Sequence, residues 1–155
     1  MVVNNMFSDD IEHVKKVHRL TDSSMISGYI FAIASEDDNS IIFDREDIAK
    51  AANAILTYKV GSLNSQKYQV DASFAMGYIT EDTISISARS KGVVDVSKIM
   101  QELGGGGSKC SAYARVQGMS MEEIKARINE LLTPTYSLDE KICKENSLTL
   151  KKRIE

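Results

Sequence analysis

Four consecutive glycines, Gly104 to Gly107, follow a short helix-like stretch and run straight into Ser108-Lys109-Cys110. No other run in the chain constrains its fold so tightly. Each glycine loses more backbone entropy on ordering than any other residue would. Four in a row inside an ordered domain therefore point to a backbone that something must approach closely. An anion such as a phosphate, held by peptide N–H groups, is one such partner. A flexible connector of the Gly/Ser kind is the other reading that the run itself leaves open.

The rest of the composition narrows the setting. With 155 residues, 43% of them hydrophobic and 26% charged, the chain is long enough for one packed domain and too apolar for global disorder. A net charge of −3 argues against a broad electrostatic nucleic-acid surface and leaves room for a local basic site. Cys110 and Cys143 have no C-x-x-C spacing, so neither a zinc site nor a redox pair is indicated. His13 and His18 are not at the i, i+4 spacing of a helical metal pair, and both read as solvated helix residues. No stretch reaches the roughly 18 apolar residues that span a bilayer. Met1 to Asp10 shows no cationic segment before an apolar core. The expected location is cytoplasmic, with no membrane contact by this segment.

Periodicity supplies the elements. Ser8-Asp9-Asp10 can cap a helical arm that ends near Leu20, with Ile11, Val14 and Val17 on one face. Met25 to Ala34 reads as one strand buried on both faces. Asp44 opens a second helix, in which Ile48, Ala51, Ala52, Ile55 and Leu56 form a core-facing stripe. Gly61 to Ser65 reads as a loop, and Gln69 to Ile79 and Thr83 to Arg89 as a hairpin about the turn Thr80-Glu81-Asp82. In the second hairpin strand Ile84, Ile86 and Ala88 face one way, and Ser85, Ser87 and Arg89 the other.

Asp95 caps a third helix that stops at Gly104, a natural residue in the left-handed position after a helix end. Cys110 to Val116 reads as another strand. Ser120 and Glu123 make an S-x-x-E box for a last helix, and Pro134 follows its end. The order predicts an α/β fold, a mixed sheet of about four to five strands flanked by helices. Domain organisation follows: a helical arm over 1–22, the main domain over 23–134 and a charged, at most partly ordered tail over 135–155.

The pieces with chemistry converge on the glycines. Arg89 ends a strand on its polar face and suits bidentate phosphate recognition, whereas Lys109 acts as a point charge. A turn through Gly105, Gly106 and Gly107 into Ser108 could present several N–H groups to one anion. For Gly104 a plain helix cap suffices. This is neither a Walker A loop, since no G-K-[S/T] follows, nor a dinucleotide fingerprint, since the glycines follow a helix and precede a strand.

Three stretches carry a resemblance: D-A-S-F-A (Asp71 to Ala75), I-S-A-R-S (Ile86 to Ser90) and V-D-V-S-K-I-M-Q-E-L-G-G-G-G (Val94 to Gly107). Together they resemble the DHHA1 domain, the C-terminal substrate-binding half of DHH-family phosphoesterases. Within that superfamily the pattern is most similar to the cyclic-di-AMP phosphodiesterases. The likeness covers roughly residues 24–133, and the stretch from Phe7 to Leu20 resembles the linker that leads out of a DHH domain.

The resemblance implies a divided site. In the family the DHH domain holds two manganese ions on Asp and His ligands and activates water. The DHHA1 domain contributes the glycine-rich loop and an arginine that hold the nucleotide. Here Arg89 matches the arginine of the I-S-A-R-S motif, and Gly105, Gly106 and Gly107 match the glycines of the family's G-G-G-H motif. Where the family has His, this chain has Ser108. A hydroxyl can donate to a phosphate oxygen but carries no imidazolium charge and stacks on no base.

No D-H-H triplet is present, and Asp9-Asp10 and Asp37-Asp38 read as solvated carboxylates. The expected substrate-binding residues are Arg89, Gly105, Gly106, Gly107, Ser108 and Lys109, with no catalytic residue, metal ligand or cofactor of the chain's own. The expected partners are a cyclic dinucleotide or short oligonucleotide, an upstream DHH domain and, through exposed apolar surface, a second copy of the chain. The chain by itself is expected to be catalytically silent, as one domain of a longer phosphodiesterase, of the kind whose full chains carry membrane segments upstream. The other reading is a non-catalytic interaction or dimerisation module with a degenerate glycine loop.

Overall fold

A computed structural model describes residues 2–27, 31–57, 60–63, 66–68 and 70–132. The expectations for Tyr29, Ile30, Gln69, Pro134, Cys143 and the tail over 135–155 lie outside the described residues. The chain runs α1 (Val2–Asp22), β1 (Met25–Ser27), β2 (Phe31–Ser35), α2 (Arg45–Thr57), β3 (Val60–Leu63), β4 (Gln66–Tyr68), β5 (Ala72–Tyr78), β6 (Thr83–Ser90), α3 (Val96–Glu102), β7 (Gly106–Ser108) and β8 (Ser111–Gln117). A further helix, α4, covers 121–132.

Six strands form one sheet in the order β1-β2-β5-β6-β8-β7, and β3 pairs with β4 apart from it. The sheet is mixed as expected. The β2–β5 pair is parallel, and every other neighbour pair is antiparallel. It has more strands than the four to five expected, for two reasons. The run from Met25 to Ala34 is not one strand, because β1 lies antiparallel on β2 with Met25 opposite Ile33. The last glycines are themselves a strand, with Gly106 opposite Tyr113 and Ser108 opposite Ser111.

Each face of the sheet has its own core. Phe31, Ile33, Phe74, Met76, Ile84 and Ile86 point toward α3 and α4, where they meet Met100, Ile124 and Ile128. Phe31 and Phe74 pack edge to face there, with centroids 6.0 Å apart. The opposite face uses small residues. Ala32, Ala34 and Ala75 pack under Ile48, Ala51, Ala52 and Ile55 of α2, with Leu20 of α1 in the same cluster. Ser73 Oγ donates to Ala52 O at 2.6 Å, so the small polar side chain is satisfied by the helix above it.

The helix ends follow the expected caps with one exception. Asp95 accepts from Ser97 N at the start of α3, and Ser120 Oγ accepts from Glu123 N at 3.1 Å at the start of α4. In α1, however, Ser8-Asp9-Asp10 is not a cap, because the helix begins six residues earlier, at Val2. The side of β6 read as a polar face is also covered, since Ser85 and Ser87 are buried beside α2. Among the described residues no helix is long and apolar enough to cross a membrane.

Candidate functional site

The glycine run divides into a helix cap and a strand. Gly104, at φ +86°, donates to Gln101 O at 3.0 Å, and Gly105 donates to Met100 O at 2.7 Å. This paired pattern closes α3 and places Gly104 as the expected left-handed residue. It also engages two of the N–H groups that the sequence offers to an anion. The close approach that the glycines allow is made first of all by the chain's own backbone. A Cβ at Gly105 would lie 2.1 Å from Tyr113 O, and one at Gly107 would lie 2.5 Å from Ser111 O. Gly106 differs from both, because a Cβ there, as at Gly104, would meet nothing within 4 Å, and unlike Gly104 it has no positive φ.

Strand register then sorts the expected site residues. Ser108, Ser111 and Arg89 occupy one row across β7, β8 and β6, and Gly106, Tyr113 and Ser87 occupy the next. Residues in directly opposed positions share a face of the sheet. On β8, Ser111, Tyr113 and Arg115 are exposed, while Ala112, Ala114 and Val116 are buried against α3 and α4. The structure thus brings Arg89, Gly106 and Ser108 onto one open stretch of the face that α2 covers elsewhere. Lys109 goes elsewhere. It sits in the β7–β8 turn and lines a separate groove with Asp95, Lys98 and Glu102.

Arg89 is half-buried and held in place. Its Nε donates to Asn53 Oδ1 at 3.1 Å, and one terminal nitrogen donates to Ala88 O at 2.9 Å. Burial pulls its guanidinium below the ordinary value, although arginine stays charged throughout the working range. Ser108 Oγ donates to Ser111 O at 3.1 Å. Among the described residues no carboxylate lies within 4.0 Å of the guanidinium of Arg45, Arg89 or Arg115. The three guanidiniums share one face of the sheet, and the carboxylate of Glu46 lines the same hollow as Arg45 and Arg89 without pairing with either.

Arg45, Tyr113 and Arg115 were not among the expected site residues. Arg45, the first residue of α2, stacks over the Tyr113 ring at 4.2 Å from its centroid. The period-two pattern of S-A-Y-A-R-V-Q, with an aromatic and a cation on the non-alanine side, was the signal available for Tyr113 and Arg115. No local pattern marks Arg45.

His13 gains a partner that its sequence spacing did not suggest. It lies on α1 with a half-exposed side chain, as expected, but it is also paired, because Nδ1 lies 2.9 and 3.0 Å from the two oxygens of buried Asp47. Its Nε2 is 3.7 Å from Asp44. The hydrogen bond and charge of Asp47 raise the imidazole above its ordinary value, with a smaller contribution from Asp44. His13, Asp44 and Asp47 are the metal-ligating types that cluster among the described residues. With both Asp47 oxygens engaged by His13, three groups do not match a two-ion centre. They tie α1 to α2.

Comparison with known proteins gives a consistent outcome. A family model described as the DHHA1 domain matches residues 38–133. The chain is 31% identical over 133 residues to the cyclic-di-AMP phosphodiesterase GdpP of Bacillus subtilis, covering 85% of this chain and 19% of that protein. It is 30% identical over 132 residues to GdpP of Geobacillus thermodenitrificans, covering 85% of this chain and 18% of that protein. The chain therefore spans about a fifth of the length of these relatives. Among solved structures, an exopolyphosphatase-related protein from Bacteroides fragilis superposes with a TM-score of 0.60 at 17% identity, covering 81% of this chain and 35% of that one. That likeness is one of fold.

Proposed function

Since the chain belongs to the DHHA1 domain family, we propose that it is the nucleotide-binding domain of a phosphodiesterase acting on cyclic dinucleotides or short oligonucleotides. The observation that carries this reading is the open face bearing Arg89, Arg45 and Arg115 without a carboxylate partner among the described residues. Arg89 is the phosphate anchor. Its fork is pre-oriented by Asn53, so little side-chain entropy remains to be lost on binding. Arg45 adds a second charge beside it. Ser108 supplies a hydroxyl in the same row of the sheet, at the position where the family pattern has histidine.

The chain's part in the reaction is to bind and orient the phosphodiester. The manganese pair that the family resemblance implies would activate water for attack on phosphorus, and it belongs to a DHH segment outside these residues. One observation favours the alternative of a non-catalytic module. The Gly104 and Gly105 N–H groups and the Ser108 hydroxyl already have partners within the chain.

Titration of the 155-residue chain with the linear dinucleotide pApA, followed by calorimetry and amide spectra, separates the two. The nucleotide-binding reading expects shifts at Gly106 to Ser108, at least about tenfold weaker binding for Arg89→Ala, and tighter binding for Ser108→His. No amide shift at millimolar pApA, with no effect of either substitution, establishes the interaction module instead.

A further inference from the structure

Tyr113 divides the open face into two compartments. One, of about 550 Å³, is lined among others by Arg45, Glu46, Ser87, Arg89 and Ser111. The other, of about 530 Å³, is lined by Gly104 to Gly107 and Arg115. Tyr113 is the one residue common to both linings. The two compartments differ in chemistry. The first gathers two guanidiniums and two hydroxyls with one carboxylate, Glu46, so its balance of charge is positive and suits a phosphate. The second has a floor of glycine backbone and a single cation at its side.

We infer that Tyr113 is the base-stacking residue of this domain, and that the glycine compartment beside it takes an unstacked nucleobase while the Arg45–Arg89 compartment takes its phosphate. The inference rests on the nucleotide-binding reading above and adds which part of the ligand goes where. Three observations carry it. Tyr113 is 45% exposed although its strand neighbours Ala112 and Ala114 are buried, so it serves no core. Arg45 packs on the ring at 4.2 Å, which holds a rotatable side chain in one orientation before any ligand arrives. Gly106 lies directly opposite Tyr113 in the strand register and has open space where a Cβ would be, which leaves a flat floor next to the ring.

A flat glycine floor beside a fixed aromatic ring fits a planar heterocycle better than a tetrahedral anion. Every nucleobase has a π-face, so this contact is tolerant of base identity. Arg115, on the same face of β8, can donate to acceptors on the base edge and so add selectivity.

The test compares pApA with ribose 5-phosphate, which keeps the phosphate and lacks the base. Binding is measured by calorimetry on the whole chain and on Tyr113→Leu, Tyr113→Phe and Arg89→Ala. Tyr113→Leu keeps apolar bulk on the strand and removes the π-face. Its amide spectrum away from β7 and β8 reports that it is folded.

The expected result is about 5- to 150-fold weaker pApA binding for Tyr113→Leu, near-native binding for Tyr113→Phe, and ribose 5-phosphate affinity within twofold of native for both. Equal weakening of the two ligands by Tyr113→Leu, no weakening of either, or native binding of ribose 5-phosphate as tight as that of pApA overturns the inference. Arg89→Ala keeps the two claims apart. If it leaves pApA binding unchanged, the phosphate anchor is wrong whatever Tyr113 does, and if pApA does not bind the native chain at all, both claims fall.

Discussion

Replacing Gly105 by alanine puts a methyl carbon 2.1 Å from Tyr113 O and 2.7 Å from Ala114 Cα. The closest ordinary C···O approach is about 3.3 Å, so the backbone must give by roughly 1.2 Å. The obstacle is main chain, and β8 cannot move away, because it is registered with β6 from Thr83–Gln117 to Arg89–Ser111. The yielding part is β7, which is paired at three positions only. Its shift also strains the Gly105 N–H bond to Met100 O that closes α3. Overpacking together with one or two weakened hydrogen bonds gives a loss of about 2–3 kcal/mol. For a chain of this size that is a fall in melting temperature of about 4–12 °C. Gly107→Ala meets Ser111 O at 2.5 Å with φ at +150°, and is expected to lose as much. Gly106→Ala meets nothing, and is expected to stay within about 0.5 kcal/mol of the native chain. Because its methyl enters the floor beside Tyr113, it should nevertheless weaken pApA binding. Thermal melting by circular dichroism and urea unfolding at 25 °C read the first effect, and calorimetry reads the second. Melting of Gly105→Ala within about 1 °C of native, or a loss for Gly106→Ala as large as for Gly105→Ala, refutes the assignment of the close approach to β8.

The His13–Asp47 contact predicts a pH dependence. The folded imidazole is raised above its unfolded value of about 6.5, so the pair stabilises the fold fully below that pH and less as pH rises through the higher folded value. The stability difference between native and His13→Gln should therefore be larger at pH 5.5 than at pH 8.5, and a constant or growing difference contradicts the contact. Asp71 predicts a structural cost inside a stretch that the family resemblance had marked. Its Oδ2 accepts from Val94 N at 2.8 Å and Ser90 Oγ at 3.2 Å, and its carbonyl accepts from Lys91 N at 2.7 Å. Asp71→Ala leaves the Val94 N–H without its partner and should cost about 1–3 kcal/mol in urea unfolding, whereas Asp71→Asn, which keeps an acceptor, should cost less.

What could be read from the sequence was local. The α2 stripe of Ile48, Ala51, Ala52 and Ile55 is buried as its spacing demands, and Asp95 and Ser120 cap the helices they precede. Caps and stripes depend on residues within a turn or two of one another. Several of the missed features depend on contacts between distant segments, although the early start of α1 and the split of Met25 to Ala34 into two strands are local. His13 meets Asp47 across 34 residues of chain, and Arg45 meets Tyr113 across a longer span. The glycine strand is a special case. Glycine is depleted in strands because it offers no side chain to pack, so nothing in Gly106 and Gly107 announces pairing with β8.

The same contact reassigns the purpose of the run. Two of its glycines exist because another strand lies where their side chains would be, Gly104 takes the left-handed turn after α3, and Gly106 faces open space without needing that conformation. Entropy loss by itself shows that something approaches a glycine run closely and does not say what. Here β8 accounts for Gly105 and Gly107, so an argument for a ligand rests on Gly106 and on what shares its row. That row contains Tyr113, flanked by rows that bring Arg89 and Arg115 to the same face. Nucleotide binding on this face would therefore draw on the side chains of β6, β8 and α2 more than on the glycine N–H groups.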